Sequence, residues 1–117
     1  MPKDLSKPEA PQELFNAVQD AGLDINILVN NAGVATTQFF ADAALDDVMN
    51  IFRVNAGSVT ALSHLFLRPM LEKREGRILN VGSVLSFIPT PSTAIYGATK
   101  AFVLSLSEAL SEELRGT

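Results

Sequence analysis

The sequence predicts an α/β fold in which helices alternate with the strands of a parallel sheet. Two short apolar runs, residues 25–30 and 78–82, have the length and composition of buried strands. Between them, residues 45–73 are apolar at helical spacing over many more residues than a strand needs. A helix that connects two strands of one sheet makes the strands parallel and the crossover right-handed.

Composition and charge favour a single globular domain, residues 1–117, because 47% of the residues are hydrophobic and 19% are charged. The net charge of −4 argues against a nucleic-acid or anionic-membrane partner. With no cysteine, the chain has no disulfide, no cysteine-based metal site and no thiol nucleophile. No signal-like stretch opens the sequence, and no apolar run approaches the ~18 residues of a membrane helix, so we expect a cytoplasmic protein.

The first helix is expected to begin at Ser6 and to end at Gly22. Ser6 and Glu9 have the spacing of a capping box, in which two side chains bond backbone N–H groups at the start of a helix. Pro11 lies early in this helix and blurs its start. Gly22 would end it, since glycine readily takes the left-handed conformation that follows a helix.

The second helix, 45–73, is entered through Asp42 and is expected to bend near residues 55–57. Pro69 would tighten its last turns. The final helix runs from about Thr93 to Arg115, with Gly116 as its stop.

The final helix carries Tyr96 and Lys100 one turn apart. Positions i and i+4 lie on one face of a helix, so the ammonium would approach the phenol. A free phenol has a pKa near ~10, and both a nearby cation and the positive end of a helix dipole favour its ionised form. Tyr96 is therefore a candidate proton donor.

Polar residues also follow each predicted strand. Ser83 comes directly after the run 78–82, and residues 30–33, Asn-Asn-Ala-Gly, end the first run in a polar turn. Ligand sites in open α/β sheets lie at the carboxyl ends of strands. Ser83 is placed there to hold a polar substrate atom, and the small residues of the turn let a flat ligand approach the backbone.

This set of residues resembles the short-chain dehydrogenase/reductase family. Members carry Asn-Asn-Ala-Gly after the fourth strand, then an asparagine in the long helix, a serine and a Tyr-x-x-x-Lys pair. Here those positions are 30–33, Asn55, Ser83, Tyr96 and Lys100. The resemblance runs from Asp4 to Arg115 and implies a partial Rossmann core, doubly wound around a parallel sheet.

The resemblance implies hydride transfer between NAD or NADP and an alcohol or carbonyl substrate. Tyr96 would exchange a proton with the substrate oxygen, and Ser83 would hydrogen-bond that oxygen. Lys100 would lower the pKa of the phenol and bind the nicotinamide ribose, and Asn55 would hold a water that links Lys100 to solvent. The implied catalytic residues are Asn55, Ser83, Tyr96 and Lys100. The implied cofactor-binding residues are Asp4, Asn31, Ala32, Gly33, Tyr96 and Lys100.

Parts of the family pattern have no counterpart among these residues. No three of the seven glycines have the Gly-x-x-x-Gly-x-Gly spacing of the turn that cradles the cofactor pyrophosphate. The strand that selects between NAD and NADP and the segment after the catalytic helix are also missing. The chain therefore resembles the middle of a truncated family member.

We expect a homo-oligomer. Helices 45–73 and 93–115 are apolar on more than one side, and family members pair these helices across a dimer interface. The two strands would also have unguarded apolar edges, which offer a second means of self-association.

Two functions stay open, and each residue also has a structural alternative. The oxidoreductase competes with a non-catalytic truncated Rossmann-like module that self-associates and keeps the catalytic residues as relics. In that case Asn30 could tie strands together, Ser83 could cap a loop and Asn55 could cap a broken helix. A hydrolase using Ser83 is disfavoured, because no histidine is placed to activate it and Gly-Ser-Val-Leu is not a nucleophile elbow.

Overall fold

The computed structural model describes all residues 1–117. Its elements alternate in the predicted order of helix, strand, helix, strand, helix. They are α1 Ala10–Asp20, β1 Ile27–Asn30, α2 Leu45–Phe52, a π-helical turn Arg53–Gly57, α3 Ser58–Lys73, β2 Arg77–Asn80, a 3-10 turn Val84–Ser86 and α4 Ala94–Glu113.

The two strands pair in parallel, as predicted, with Ile27 opposite Arg77 and Asn30 opposite Asn80. All three helical segments that pack on this sheet lie on one face: α3 contacts both strands, α1 packs on α3, and α4 contacts β2. The core on this face centres on four buried residues of α1 and α3, which are Val18, Leu62, Phe66 and Met70.

The opposite face of the sheet is bare. The side chains of Ile27, Val29 and Leu79 are between 51% and 60% exposed, whereas Leu28 and Ile78 on the other face pack against the core. This alternation follows from the two-residue repeat of a strand. The chain is therefore a two-layer slab, with Cα extents of 46 × 30 × 14 Å.

The predicted start of the first helix was wrong. The helix begins at Ala10, its N-cap is Glu9, and no side chain caps it. Ser6 does not form a capping box: its N–H, which Glu9 would accept, donates to the Asp4 carboxylate at 3.0 Å, and its hydroxyl donates to the same oxygen at 2.7 Å. The helix ends at Asp20, and Gly22 has a left-handed φ of +65°.

The strands are shorter than predicted. β1 begins at Ile27 instead of residue 25, and β2 covers Arg77–Asn80 instead of 78–82. Beyond them, the Val81 N–H still donates to the Asn30 carbonyl at 3.0 Å. The chain then leaves the sheet, which places Ser83 three residues past the end of β2.

The long helix is continuous, and the predicted irregularity at residues 55–57 is the π-helical turn. Such turns occur often at functional sites. α3 ends at Lys73, and the C-cap residue Arg74 has a left-handed φ of 55°. Gly76 follows closely, and a Cβ there would meet the Met70 Cγ at 2.5 Å, so only glycine fits this return to the sheet.

α4 begins after Thr93, so Tyr96 lies in its first turn as predicted. It ends at Glu113, two residues earlier than expected, and Gly116 has a left-handed φ of +81°. None of the helices combines the length and the apolar character that crossing a membrane requires.

Candidate functional site

Lys100 lies beyond the carboxyl ends of the strands and is 6% exposed. Its ammonium donates to the Val81 carbonyl at 3.0 Å and lies 5.7 Å from the centre of the Tyr96 ring. The helix spacing therefore brings this pair together as predicted. No carboxylate pairs with Lys100, because the four ion pairs of the structure involve other cations.

Asn55 is buried in the π-helical turn, 1% exposed. Its Oδ1 accepts the Val34 N–H at 2.8 Å, and its Nδ2 donates to the Val34 carbonyl at 2.8 Å. The second Nδ2 hydrogen goes to Thr99 Oγ1 at 3.2 Å. The amide of Asn55 thus clamps the backbone that follows β1. We call Val34, Asn55, Thr99 and Lys100 the site network.

Gly33 lies close to both the Asn55 amide and the Lys100 ammonium. A Cβ on Gly33 would lie 3.6 Å from Asn55 Oδ1 and 3.6 Å from Lys100 Nζ. The space that this glycine leaves open therefore borders an acceptor and a cation. Residues 31–33 are exposed, so the polar turn forms an accessible surface that borders the buried Lys100 ammonium.

Ser83 caps the 3-10 turn that follows β2. Its Oγ accepts the Leu85 N–H at 3.2 Å, and its own N–H donates to Ser86 Oγ at 3.2 Å. Because Oγ acts as an acceptor here, its hydroxyl proton stays free to donate. The first turns of α4 pack on this segment, and a Cβ on Gly97 would lie 3.8 Å from the Leu85 carbonyl. Ser83 therefore precedes a segment that contacts the helix carrying Tyr96.

A second set of polar residues joins the two strands to α3 and α4; Asn30 and Ser63 are buried, and Asn80 and Ser107 are half-buried. Asn30 Nδ2 donates to Ser63 Oγ at 3.1 Å and to Asn80 Oδ1 at 2.8 Å. Asn80 Nδ2 donates to Ser107 Oγ at 2.9 Å, and Ser107 donates to the Val103 carbonyl at 2.7 Å. We call Ser63, Asn30, Asn80 and Ser107 the sheet network. It ties β1 to β2 and both strands to α3 and α4, so Asn30 has the structural role considered above.

Sequence reasoning did not find Asn80, Ser63, Ser107 or Thr99. One signal was available: an asparagine ends each apolar strand, at positions 30 and 80, and the two pair in register. Ser107 and Thr99 gave no comparable signal, because a hydroxyl on a helix finds its partner only through tertiary packing.

Asp4 is not joined to the rest of the predicted cofactor site by any hydrogen bond. Its carboxylate accepts both bonds from Ser6, and these bonds hold the pKa of Asp4 below its ordinary value. The observed role of Asp4 is to close the turn that precedes α1.

A groove of about 760 Å³ lies away from the site. It runs alongside β2 between the C-terminal parts of α3 and α4, and its walls include Leu67, Ile78 and Leu110. Neither Tyr96 nor Lys100 lines it. The candidate catalytic residues therefore lie at the site network, whereas the groove lies between packed elements away from them.

One family model and several known proteins are similar to this chain. The model described as short chain dehydrogenase matches residues 1–117. The uncharacterized oxidoreductase YvrD of Bacillus subtilis is 39% identical over 97% of this chain and 43% of its own length. The 3-oxoacyl-[acyl-carrier-protein] reductase FabG of Vibrio cholerae is 32% identical over 97% of this chain and 47% of its own length.

A solved structure is similar as well. A short-chain dehydrogenase from Sphingobium yanoikuyae, in complex with NADPH, matches with a TM-score of 0.85 at 34% identity, covering 96% of this chain and 44% of that one. The chain thus spans less than half the length of each of these three proteins. The match to a nicotinamide-binding structure supports a partial Rossmann core.

Proposed function

The chain belongs to the short-chain dehydrogenase family, and we propose that it carries the proton-transfer residues of a NAD(P)-dependent oxidoreductase. The substrate is an alcohol or the corresponding carbonyl compound. The observation that carries this proposal is the buried Lys100 ammonium, which lies beside the Tyr96 ring and has no acidic partner. Burial of an ammonium is costly unless its donors are used, so the free donors favour a ligand that supplies oxygen atoms.

Lys100 acts first as a binding group. An ammonium has three N–H donors, and only one is used, by the Val81 carbonyl. The other two serve the hydroxyl groups of the cofactor ribose. The positive charge also stabilises negative charge on the Tyr96 oxygen as its proton leaves.

Tyr96 acts as the proton donor and acceptor. In the reducing direction its phenol gives a proton to the substrate oxygen, and in the oxidising direction the phenolate takes that proton back. Ser83 donates its hydroxyl proton in a hydrogen bond to the same oxygen. The Leu85 N–H holds Ser83 Oγ in place, so this donor is oriented before the substrate arrives.

The surface around Gly33 fits the cofactor by two features. The missing Cβ leaves room between an acceptor and a cation, and the neighbouring Asn31 and Ala32 are exposed. When bound, the nicotinamide supplies or accepts the hydride. Residues 31–33 would hold the adenosine side and Asp4 the adenine, while the group that binds the pyrophosphate is not among these 117 residues.

Asn55 is proposed to connect Lys100 with solvent through a water. Its Nδ2 hydrogens are both used, but Oδ1 accepts only the Val34 N–H and keeps a second acceptor position. That position borders the Gly33 space shared with Lys100. A water there could pass a proton between Lys100 and solvent.

The test is Tyr96→Phe, which removes only the phenol oxygen. Oxidation of NADPH by the 117-residue chain would be followed with a panel of aliphatic, aromatic and β-keto ester carbonyl compounds. We expect the variant to lose at least ~100-fold in rate, since a positioned acid contributes 10²–10⁴-fold. Its affinity for NADPH should fall much less than its rate, because the Lys100 ammonium is kept. Equal rates in the two proteins would contradict the role of Tyr96.

A second candidate function is favoured by the bare face of the sheet. Three exposed apolar strand residues, Ile27, Val29 and Leu79, would suit a module that works by self-association. In that case the chain binds no nicotinamide, and the site network is only structural. Cofactor binding therefore distinguishes the two candidates.

A homo-oligomer is part of the proposal in either case, formed through α2, α3 and α4. Phe52 and Phe102 on these helices are 45% and 41% exposed, although their neighbours Val54 and Val103 are buried. Sedimentation of the wild type and of Phe102→Lys tests this interface, with Val29→Lys on the bare sheet face as the control. Dissociation by Val29→Lys alone would assign the interface to the sheet instead.

A further inference from the structure

Thr99 lies between Tyr96 and Lys100 on α4 and is 2% exposed. We propose that Thr99 is a positioning residue whose hydroxyl fixes the amide of Asn55, and through it the turn that carries Gly33. Its consequence for cofactor binding rests on the proposed function. The effect of Thr99 on the structure of the turn is independent of the proposed function.

The hydroxyl of Thr99 has a defined direction. It donates its single proton to the Tyr96 carbonyl at 2.7 Å, so its lone pairs face away from α4. One of them accepts from Asn55 Nδ2 at 3.2 Å. The hydroxyl therefore presents an acceptor, and not a donor, to Asn55.

The Thr99 acceptor is compatible with only one orientation of the Asn55 amide, the one that Val34 also requires. With Nδ2 toward Thr99 and the Val34 carbonyl, Oδ1 faces the Val34 N–H. A flipped amide would put the oxygen against Thr99 Oγ1, which has no proton left to give. It would also put a donor against the Val34 N–H. Thr99 and Val34 together thus leave Asn55 a single arrangement.

The fixed amide connects three elements around Lys100. Asn55 belongs to the π-helical turn, Val34 follows β1, and Thr99 directly precedes Lys100. The space beside Gly33 borders both Asn55 Oδ1 and Lys100 Nζ, so a shift of the clamp would change that space. Loss of one buried hydroxyl would therefore alter the surface proposed to take the cofactor.

Ser107 offers a matched control on the same helix. Its hydroxyl also donates to a carbonyl of the preceding turn, that of Val103, and also accepts from an asparagine, Asn80 Nδ2. Asn80 leads into the sheet network, whereas Asn55 leads to the turn beside Lys100. Thr99→Val and Ser107→Ala thus remove chemically equivalent bonds at two places.

The first readout is amide hydrogen exchange in the 117-residue chain without cofactor. In Thr99→Val the Val34 amide should exchange about tenfold faster, because its acceptor is no longer held in place. Thr99→Ser should restore the wild-type rate. Ser107→Ala should leave Val34 unchanged. In the Thr99 variants the Val81 amide, bonded to Asn30, serves as the internal reference.

The second readout is affinity for NADPH. Thr99→Val should weaken it about tenfold, and Thr99→Ser should restore it. If the wild type binds neither NADH nor NADPH, the proposed function fails, and Val34 exchange still decides the role of Thr99. Unchanged Val34 exchange in a folded Thr99→Val protein would overturn the inference, as would equal acceleration in Ser107→Ala.

The wild type supplies a test that needs no variant. If Thr99 and Val34 both accept from Asn55, both Nδ2 protons of Asn55 must exchange slowly. One slow and one fast Nδ2 proton would mean that the bond to Thr99 does not persist in solution, and the inference would fail even where Thr99→Val does not fold.

Discussion

The sheet network and the site network are both built on buried asparagines, but they end differently. Asn30 and Asn80 bond each other and two helix hydroxyls, and the chain of bonds ends on the helix carbonyl of Val103. The site network ends beside the Lys100 ammonium, which keeps two donors without a protein acceptor. Satisfied buried polar groups specify a fold. A buried cation with unused N–H donors indicates a ligand-binding site.

Lys100→Met removes the ammonium at which the site network ends, and we expect it to have the largest effect on NADPH affinity. The change removes the ammonium but keeps an unbranched side chain, so we expect the affinity for NADPH to fall at least ~100-fold. Stability in urea should be unchanged or higher, since a buried charge is replaced by an apolar group.

Lys73→Met is the control for Lys100→Met, because Lys73 is exposed and pairs only with Asp24. Its NADPH affinity should match that of the wild type. If Lys100→Met bound NADPH as tightly as the wild type, the site network would not differ from the sheet network by binding a ligand.

Asn30→Ala would break the sheet network and should act on stability. Asn80 Oδ1 and Ser63 Oγ would lose their donor in a buried setting, which should cost about 2 kcal/mol of unfolding free energy. Urea unfolding measures this. Asn26→Ala is the control, since Asn26 is exposed and bonds Glu75, and it should change stability by less than ~0.5 kcal/mol. Equal losses in both variants would contradict a special role for Asn30.

Gly33→Ala should separate binding from folding, because it changes the site without changing the fold. The added methyl would meet Asn55 Oδ1 and Lys100 Nζ at 3.6 Å, an ordinary contact distance, so stability should stay within ~0.5 kcal/mol. It would fill the space proposed for the ligand, and NADPH affinity should fall about tenfold.

Gly57→Ala makes the same substitution in the π-helical turn, where the nearest atom is the Phe52 carbonyl at 3.9 Å. It should leave the affinity for NADPH unchanged. If Gly33→Ala bound NADPH as tightly as the wild type, the space beside Gly33 would not belong to the cofactor site.

Asp4 should give the smallest effect, because it belongs to neither network. Its pKa is lowered in the folded protein by the bonds from Ser6. Its contribution is therefore present above the pKa of the unfolded chain and is lost as pH falls through the lower folded value. Asp4→Asn should differ from the wild type in thermal melts at neutral pH, with the difference shrinking in acid. A constant difference at every pH would contradict this assignment.

The order of elements and the proximity of Lys100 to Tyr96 could be predicted from the sequence because they depend on local patterns. Apolar runs gave β1 and β2, and the four-residue spacing brought Lys100 beside Tyr96. The capping box failed because the Ser6 N–H, which Glu9 would accept, donates to Asp4 instead. That competition depends on the turn geometry, which the spacing of Ser6 and Glu9 does not reveal.

The bonding within the two networks could not be predicted. Asn80 meets Asn30 only because the strands pair in that register, and Thr99 meets Asn55 only because α4 packs on the π-helical turn. The family pattern named Asn55 as the residue that would hold a water. In the structure both Nδ2 hydrogens serve Val34 and Thr99, which leaves only one position on Oδ1.

The most direct measurement is a titration of the wild-type chain with NADH and NADPH, following nicotinamide fluorescence, which no tryptophan here would disturb. The proposed role of Lys100 and the turn 31–33 predicts saturable binding at micromolar concentrations of at least one cofactor, abolished in Lys100→Met and kept in Tyr96→Phe. No saturable binding of either cofactor by a protein shown to be folded would contradict it and favour the self-associating module.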